Sequence, residues 1–349
     1  MLLHLTENSP EPLGGQIARQ LRSKILAGEL PAGWEIPECR KLARQLRVSP
    51  ACVARALAAL VAEGVLEGSA EEAVRVAAVP PDRRRTLAQR HLLDDAREQE
   101  LSLRELELAC EIQRRLLPPA RVAAEGYTVV SRSFPARFVA GDFHDVIRHA
   151  DGSLDVVVAD VAGKGFGASL IMASVKAMTP FVTEGRAVAD ALRELNRRLA
   201  GELGRRQFVA LACARITPDG AVELANAGMP DPLVLRAGAG PTAVEVPGPR
   251  LPLGIRAEVA YASITFPLEE GARLLLFSDG IAEARRPSGE PLGYDGLSAI
   301  LSRSAGQSRR AMPPEEWLDG ILDEAQRITD FVLDDDWTAV AVERSRDEA

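Results

Sequence analysis

The stretch VVVADVAGKGFGASL, residues 156–170, reads as a buried strand that ends on a carboxylate, a glycine-rich loop and the start of a helix. An Asp at the end of a buried strand, here Asp160, is held rigidly at a sheet edge. The glycines at 163, 165 and 167 let the backbone pass close to whatever that carboxylate holds. An ordinary helix-entry loop has the same composition, so the stretch alone decides only the local fold. Three further aspartates recur in similar settings. Asp279 ends RLLLFSD, residues 273–279; Asp335 lies in LDDDWTAV, residues 333–340, just before a strand; Asp142 lies in AGDFHDV, residues 140–146. A single Asp-Gly after a strand is usually a turn. Several converging carboxylates would repel one another unless cations sat between them. An all-oxygen ligand set suits Mg²⁺ or Mn²⁺.

Outward from this stretch, strands and helices mix. Strands are expected over 127–134, 153–160, 208–216, 221–225, 233–236, 259–266, 273–278 and 338–343. Helices are expected over 168–184, 187–201, 294–302 and 314–329. This pattern predicts a layered α+β domain.

The chain has 349 residues, 46% hydrophobic and 26% charged, which suits two or three domains. Aromatics make up only 4%, so the cores rest on Ala, Leu and Val. A net charge of −8 argues against coating nucleic acid by charge alone and leaves room for a local DNA-binding face. Cys39, Cys52, Cys110 and Cys213 form no CxxC pair and read as reduced thiols; no HExxH spacing exists among the histidines. No apolar run reaches the roughly 18 residues of a membrane span. A cytoplasmic protein without membrane contact is the expectation.

Pro80-Pro81 and Pro118-Pro119 divide the chain into residues 10–80, 82–117 and 120–345. The first part reads as three helices and a hairpin. Ser49-Pro50 is an N-cap followed by Pro at the first helical position. QIARQLRSKILAGELPAGWEIPECRKLARQLRVSP and VARALAALVAEGVLE, within about residues 12–79, resemble the winged helix-turn-helix domain of GntR-type regulators. That resemblance implies binding to double-stranded DNA, with Arg40, Lys41, Arg44 and Arg55 as candidate contacts. The sequence departs from the family where Pro50, Ala51 and Cys52 replace the usual Arg and Thr. The wing, GSAEEAVRV, carries Glu71 and Glu72, and basic and acidic side chains are equal in number over residues 1–80. A dimerisation or protein-docking module is the competing reading.

The middle part has no internal Gly or Pro. Positions 92, 96, 99, 103, 106, 110, 113 and 117 alternate in steps of four and three, which predicts a linker helix forming a short, imperfect coiled coil and a homodimer. A second stripe at Leu101, Leu108, Ile112 and Leu116 is expected to dock on the C-terminal domain. A single linker helix packed in cis is the alternative.

GDFHDV, VADVAGKG, FSDGIAEAR and DDDWTAV, with EIQRRLLPP, NAGMPDPLVL and LPLGI, resemble the PPM (type 2C) metal-dependent serine/threonine phosphatases, specifically their bacterial SpoIIE/RsbU branch. The resemblance covers about residues 108–345. It implies an αββα sandwich, four layers deep, and two Mn²⁺ or Mg²⁺ ions. The bridging ligand falls on Asp160, with the carbonyl of Val161 beside it; Asp279, Asp335 and Asp142 supply the other carboxylates. A metal-activated water attacking phosphorus in line is the implied chemistry. Ala162 stands where eukaryotic relatives place an acid His, and His144 where an aromatic Tyr is common; a packed His144 is the expected role. Met229 replaces a usual His, which is expected to alter substrate contacts, and Ala140 replaces a usual Gly.

The leading reading is therefore a phosphatase acting on a phosphorylated regulatory protein, by resemblance an anti-sigma-factor antagonist, with the linker helix transmitting a signal from the winged helix to Asp160. The alternative is a DNA-binding transcription regulator that uses the phosphatase domain as sensor or effector. A catalytically dead scaffold is disfavoured by the four retained aspartates.

Overall fold

The computed structural model describes residues 3–5, 12–68, 74–124, 126–204, 206–236, 238–306 and 312–345. Two compact units divide the chain, residues 1–104 and 105–349.

In the first unit, α1 (Leu13–Leu26), α2 (Cys39–Leu46) and α3 (Pro50–Ala62) precede a small ladder of β1 (Leu66–Glu67) and β2 (Arg75–Val76). The helix α1 presents Ile17, Leu21 and Ile25 on one stripe, all fully buried. It ends at Gly28, whose φ of 84° only glycine adopts freely. The Ser49 hydroxyl caps α3 by accepting from the Cys52 N–H at 3.3 Å. Arg22 of α1 grips Glu63 at the end of α3 through two hydrogen bonds of 2.7 and 2.5 Å. The wing residues Glu71 and Glu72 lie outside the described residues.

The long helix α4 (Pro81–Leu116) runs across the unit boundary. Its C-terminal end overturns the expected division of labour between its stripes. Gln113, placed on the coiled-coil seam by its spacing, is buried and exchanges two hydrogen bonds with the backbone of Ala140, while Leu117 packs on the core of the second unit. Leu101, Leu108, Ile112 and Leu116, expected to dock, are 42–57% exposed. Without that amide a buried backbone N–H and C=O would be left unpaired, which ties this face of the helix to the domain. The side chain of Gln99, another seam position, lies outside the described residues.

The second unit begins with β3 (Arg121–Ala124), β4 (Tyr127–Phe134), β5 (Phe143–Arg148) and β6 (Leu154–Val161). Two helices, α5 (Phe166–Thr183) and α6 (Val188–Leu199), follow. Next come β7 (Val209–Ile216), β8 (Ala221–Ala227), β9 (Leu233–Leu235), β10 (Thr242–Ala243), β11 (Ser263–Pro267) and β12 (Arg273–Phe277). Then α7 (Asp279–Glu283), α8 (Gly293–Gly306), α9 (Pro314–Ile328) and β13 (Trp337–Arg344) complete the chain. Two antiparallel sheets result, ordered β11-β8-β7-β6-β5 and β10-β9-β12-β13-β4-β3.

Val156, Val158, Ala212 and Leu224 of one sheet face Val129, Leu274, Leu276 and Val340 of the other. The outer face of the five-stranded sheet, with Val157, Ala159 and Leu211, is covered by Met172 and Val175 of α5 and Leu192 and Leu195 of α6. On the outer face of the six-stranded sheet, Leu275, Phe277 and Ala339 meet Ile281, Leu301, Trp317 and Ile321 of α7–α9. Both sheets are thus buried on both faces, which is why their central strands read as unbroken apolar runs.

The structure adds elements beyond those expected: β3, β5, β10 and α7. The strand expected over 259–266 shortens to Ser263–Pro267. One helix, α5, has 18 residues of mean hydropathy 1.3 and is long and apolar enough to cross a membrane, contrary to the expectation that no such run exists. Its apolarity has a local cause, because one side of it packs on the five-stranded sheet.

Candidate active site

Register brings the aspartates together. Phe143 of β5 pairs with Ala159 of β6, so Asp142, just before β5, stands beside Asp160. In the other sheet Phe277 of β12 pairs with Ala339 of β13, so the chain leaving β12 at Asp279 meets the chain entering β13 at Asp335. The Ser278 N–H donates to the Thr338 carbonyl at 2.9 Å, and the Thr338 N–H donates to the Ser278 hydroxyl at 2.9 Å, extending this ladder to the carboxylates. The two pairs face each other at one end of the sandwich, close enough for Asp160 to feel Asp279, Asp335 and Asp336.

The backbone is compressed around them. A Cβ on Gly141 would lie 2.9 Å from the Val161 carbonyl oxygen and 3.5 Å from Asp160 Oδ1. That carbonyl therefore points into the same crowded space as Asp142 and Asp160. A Cβ on Gly280 would run into the Asp336 carbonyl, so only glycine fits after Asp279.

The electrostatics register the crowding. Burial, and then Asp160, hold the Asp142 carboxyl well above the usual range, against the pull of the Ser278 and Thr338 hydroxyls. Burial and the neighbouring Asp279 push Asp160 up to about 7, with Asp335 and Asp336 adding to the shift and a hydrogen bond with Asp142 opposing it. Asp279 is raised by burial, then by Glu283 and Asp335.

Three residues that sequence reasoning passed over organise this site. Asp336 accepts from the Ala136 N–H on Oδ1 and from the Gly141 N–H on Oδ2, both at 2.8 Å, tying the Asp142 loop to the start of β13. Ser278 makes the ladder described above, and its hydroxyl also reaches the Asp336 carbonyl at 3.3 Å. Gln113 holds Ala140, two residues before Asp142, at 2.8 and 2.9 Å. The run of three aspartates at 334–336 was the available signal for Asp336, since one of them sufficed for the expected ligand.

His144 is buried as expected, with no hydrogen-bond partner on either ring nitrogen. Burial and then Lys176 lower it to about 4, so it is neutral at pH 7. Met229, which replaces the usual His, is turned into the protein. Its side chain is 3% exposed in the inter-sheet core, and Asn226 clamps its backbone at 2.8 and 3.0 Å.

Among the described residues no three His, Cys, Asp or Glu side chains stand ready to hold a metal ion. Asp335 is turned to Lys164. The residues nonetheless fit a hard divalent cation. The donors are all oxygens, and Asp142 Oδ2 is buried with no hydrogen-bond partner.

In the first unit, Arg40, Lys41 and Arg44 are exposed on α2, and Arg55 is exposed on α3. Around Arg55 the exposed surface of α3 consists of Pro50, Ala51, Ala58, Ala59 and Ala62.

The family model for stage II sporulation protein E (SpoIIE) matches residues 150–345. The chain belongs to the SpoIIE family of PP2C-type serine phosphatases. The model for bacterial regulatory proteins of the gntR family matches residues 13–76 of this SpoIIE-family chain, which places a winged helix in front of the phosphatase domain. It is similar to phosphoserine phosphatase RsbU of Bacillus subtilis (strain 168), 28% identical over 242 residues, covering 69% of this chain and 70% of RsbU. Two solved structures share the fold. The SiaA-PP2C domain of Pseudomonas aeruginosa superposes with a TM-score of 0.60 at 20% identity, covering 71% of this chain and 98% of that one. The RsbU and RsbW domains of a Mycobacterium tuberculosis protein give 0.57 at 24% identity, covering 65% of this chain and 62% of that one.

The raised carboxylates make a stability prediction. A carboxyl whose folded-state pKa lies above its unfolded value stabilises the fold at low pH and loses that contribution as pH rises through the folded value. For Asp160 the window runs from 3.8 to about 7. In metal-free protein, Asp160→Asn is expected to melt several degrees above wild type at pH 7.5. The gap should close towards pH 4 when thermal melts are compared across that range.

Proposed function

We propose that the chain is a Mn²⁺- or Mg²⁺-dependent phosphatase that hydrolyses phosphoserine or phosphothreonine on a regulatory phosphoprotein. The observation that carries this reading is the convergence of Asp142, Asp160, Asp279 and Asp335 at one end of the sandwich, with three of them pushed up by burial and by one another. In this reading Asp160, the Val161 carbonyl, Asp142, Asp279 and Asp335 would hold the divalent ions. Divalent ions there supply a hydroxide nucleophile at neutral pH and neutralise charge on the phosphoryl oxygens. The substrate class, by kinship with RsbU, is a phosphorylated anti-sigma-factor antagonist in the cytoplasm.

With saturating Mn²⁺, the wild type should hydrolyse p-nitrophenyl phosphate. Asp279→Ala should lose at least about a hundredfold in kcat, the scale of removing one electrostatic contact to the transition state. Equal rates in the two proteins would sink the assignment.

Regulation in this reading runs through α4. Gln113 supports it, because the helix that leaves the winged-helix unit holds the loop of Asp142 by two buried hydrogen bonds. The exposed Leu101, Leu108, Ile112 and Leu116 provide the surface for a homodimer. Gln113→Leu leaves a buried N–H and C=O unpaired, at a cost of about 1–3 kcal/mol for each group. It should weaken Mn²⁺ binding measured by calorimetry, with the winged helix still folded. Unaltered metal affinity would remove Gln113 from the pathway.

The gntR-family unit implies DNA binding, and its exposed Arg40, Lys41, Arg44 and Arg55 suit phosphate contacts. A second reading, a transcription regulator with the phosphatase domain as sensor, follows from that surface. Mobility shifts at two salt concentrations test it. Binding should weaken steeply with salt, and Arg55→Ala should weaken it further and flatten the salt dependence by about one phosphate contact. An Arg55→Ala protein with wild-type binding at both salts would exclude α3 from the interface.

A further inference from the structure

Lys164 occupies a particular place in this site. It follows the Asp160–Val161 strand end by three residues, yet its ammonium reaches across to the other sheet. There it lies 2.8 Å from Asp335 Oδ2 and 2.7 Å from the Asp334 carbonyl oxygen. It is thus the positive charge seated directly on a carboxylate of the proposed metal site. Its setting permits movement. The side chain is 43% exposed and that of Asp335 46%, so neither is locked by packing. Gly163 and Gly165, at φ 111° and 82°, flank it, and a Cβ on either, or on Gly167, would meet nothing within 4 Å. The loop is therefore open on the side where Lys164 sits.

The arrangement solves a charge problem. Asp142, Asp160, Asp279, Asp335 and Asp336 repel one another in a partly buried space, and one ammonium offsets part of that repulsion. An ammonium and a divalent cation cannot both sit on the outward oxygen of Asp335. A lysine ammonium is a positive charge on a flexible stem, able to exchange between oxygen partners. When a cation takes Asp335, the displaced ammonium stays tethered beside the site, where a phosphate dianion is the incoming group.

We propose that Lys164 is an exchangeable cation: it holds Asp335 in the metal-free enzyme, competes with the divalent ion for that carboxylate, and then binds a phosphoryl oxygen of the substrate. This rests on the phosphatase reading above. It assigns Lys164 two linked duties, one that weakens metal binding and one that strengthens phosphate binding. A surface ion pair with no further role would do neither.

Lys164→Met and Lys164→Arg test the idea in the full chain. Mn²⁺ affinity is measured by calorimetry without substrate. KM for p-nitrophenyl phosphate and competitive inhibition by inorganic phosphate are measured at saturating Mn²⁺. Lys164→Met should bind Mn²⁺ several-fold more tightly. It should also raise KM and the phosphate inhibition constant about tenfold, the scale of one hydrogen bond to a charged group. Lys164→Arg should return both towards wild type. Unchanged Mn²⁺ affinity, unchanged phosphate inhibition, or failure of arginine to restore them would overturn the proposal. Absence of Mn²⁺-dependent hydrolysis in the wild type would instead refute the phosphatase reading itself.

Discussion

Like charges held together by strand register are the constraint on which this domain turns. Asp142 and Asp160 are fixed beside each other because Phe143 pairs with Ala159, and Asp279 and Asp335 because Phe277 pairs with Ala339. A one-residue slip in either ladder would turn the strand's side chains to the opposite face. The buried valines and leucines on both faces of both sheets oppose such a slip, so the apolar core indirectly holds the carboxylates against their own repulsion. Asp336 adds a polar clamp, spending both oxygens on the backbone of the neighbouring loop. One aspartate of the run 334–336 is thereby a brace, while its neighbour Asp335 accepts from the Asp336 N–H on Oδ1 and pairs with Lys164 through Oδ2.

How much of this was legible in the sequence depends on the kind of signal. Long apolar runs such as VVVA and LLLF announced β6 and β12, and their ends marked Asp160 and Asp279. The strand β5 gave no such signal, because at the edge of its sheet FHDVIR buries the polar His144 and Asp145 beside Phe143 and leaves Val146 and Ile147 only half-buried. The helix α7 is only five residues long, too short for a periodic pattern, so Asp279 appeared to end a strand when it opens a helix. In α4 the period identified a helix and then misassigned its faces. Spacing reports which residues share a side, and it carries no information about what that side touches. By spacing Gln113 is only an imperfect heptad position, and its hydrogen bonds to Ala140 exist only with the loop folded against it. Met229 shows another limit: resemblance marked it as replacing a usual His, and only the folded turn, clamped by Asn226, shows its side chain buried in the inter-sheet core.

The two ends of the chain distribute charge in opposite ways. Around Asp160 the protein concentrates negative charge. In the winged helix the exposed positive charge lies mainly on α2, with Arg55 alone among alanines on α3. Phosphate contacts orient a protein on DNA, while base-edge hydrogen bonds supply sequence selectivity. A surface of this composition favours the first kind of contact. Alanine methyls leave only apolar contact to base edges along most of α3.

Crowded carboxylates also tie folding to metal loading. Each raised carboxyl destabilises the metal-free fold at neutral pH, because the charged form is the disfavoured one there. In the proposed reading, cation binding would remove that penalty, and part of the binding free energy would appear as folding free energy. Lys164 sits at the balance point of this coupling. By offsetting charge on Asp335 it stabilises the empty domain, and by the same contact it opposes loading. A site without it would bind cations more tightly and would strain the empty domain more. The glycines that flank Lys164 leave open space around the loop, so one side chain can change partners.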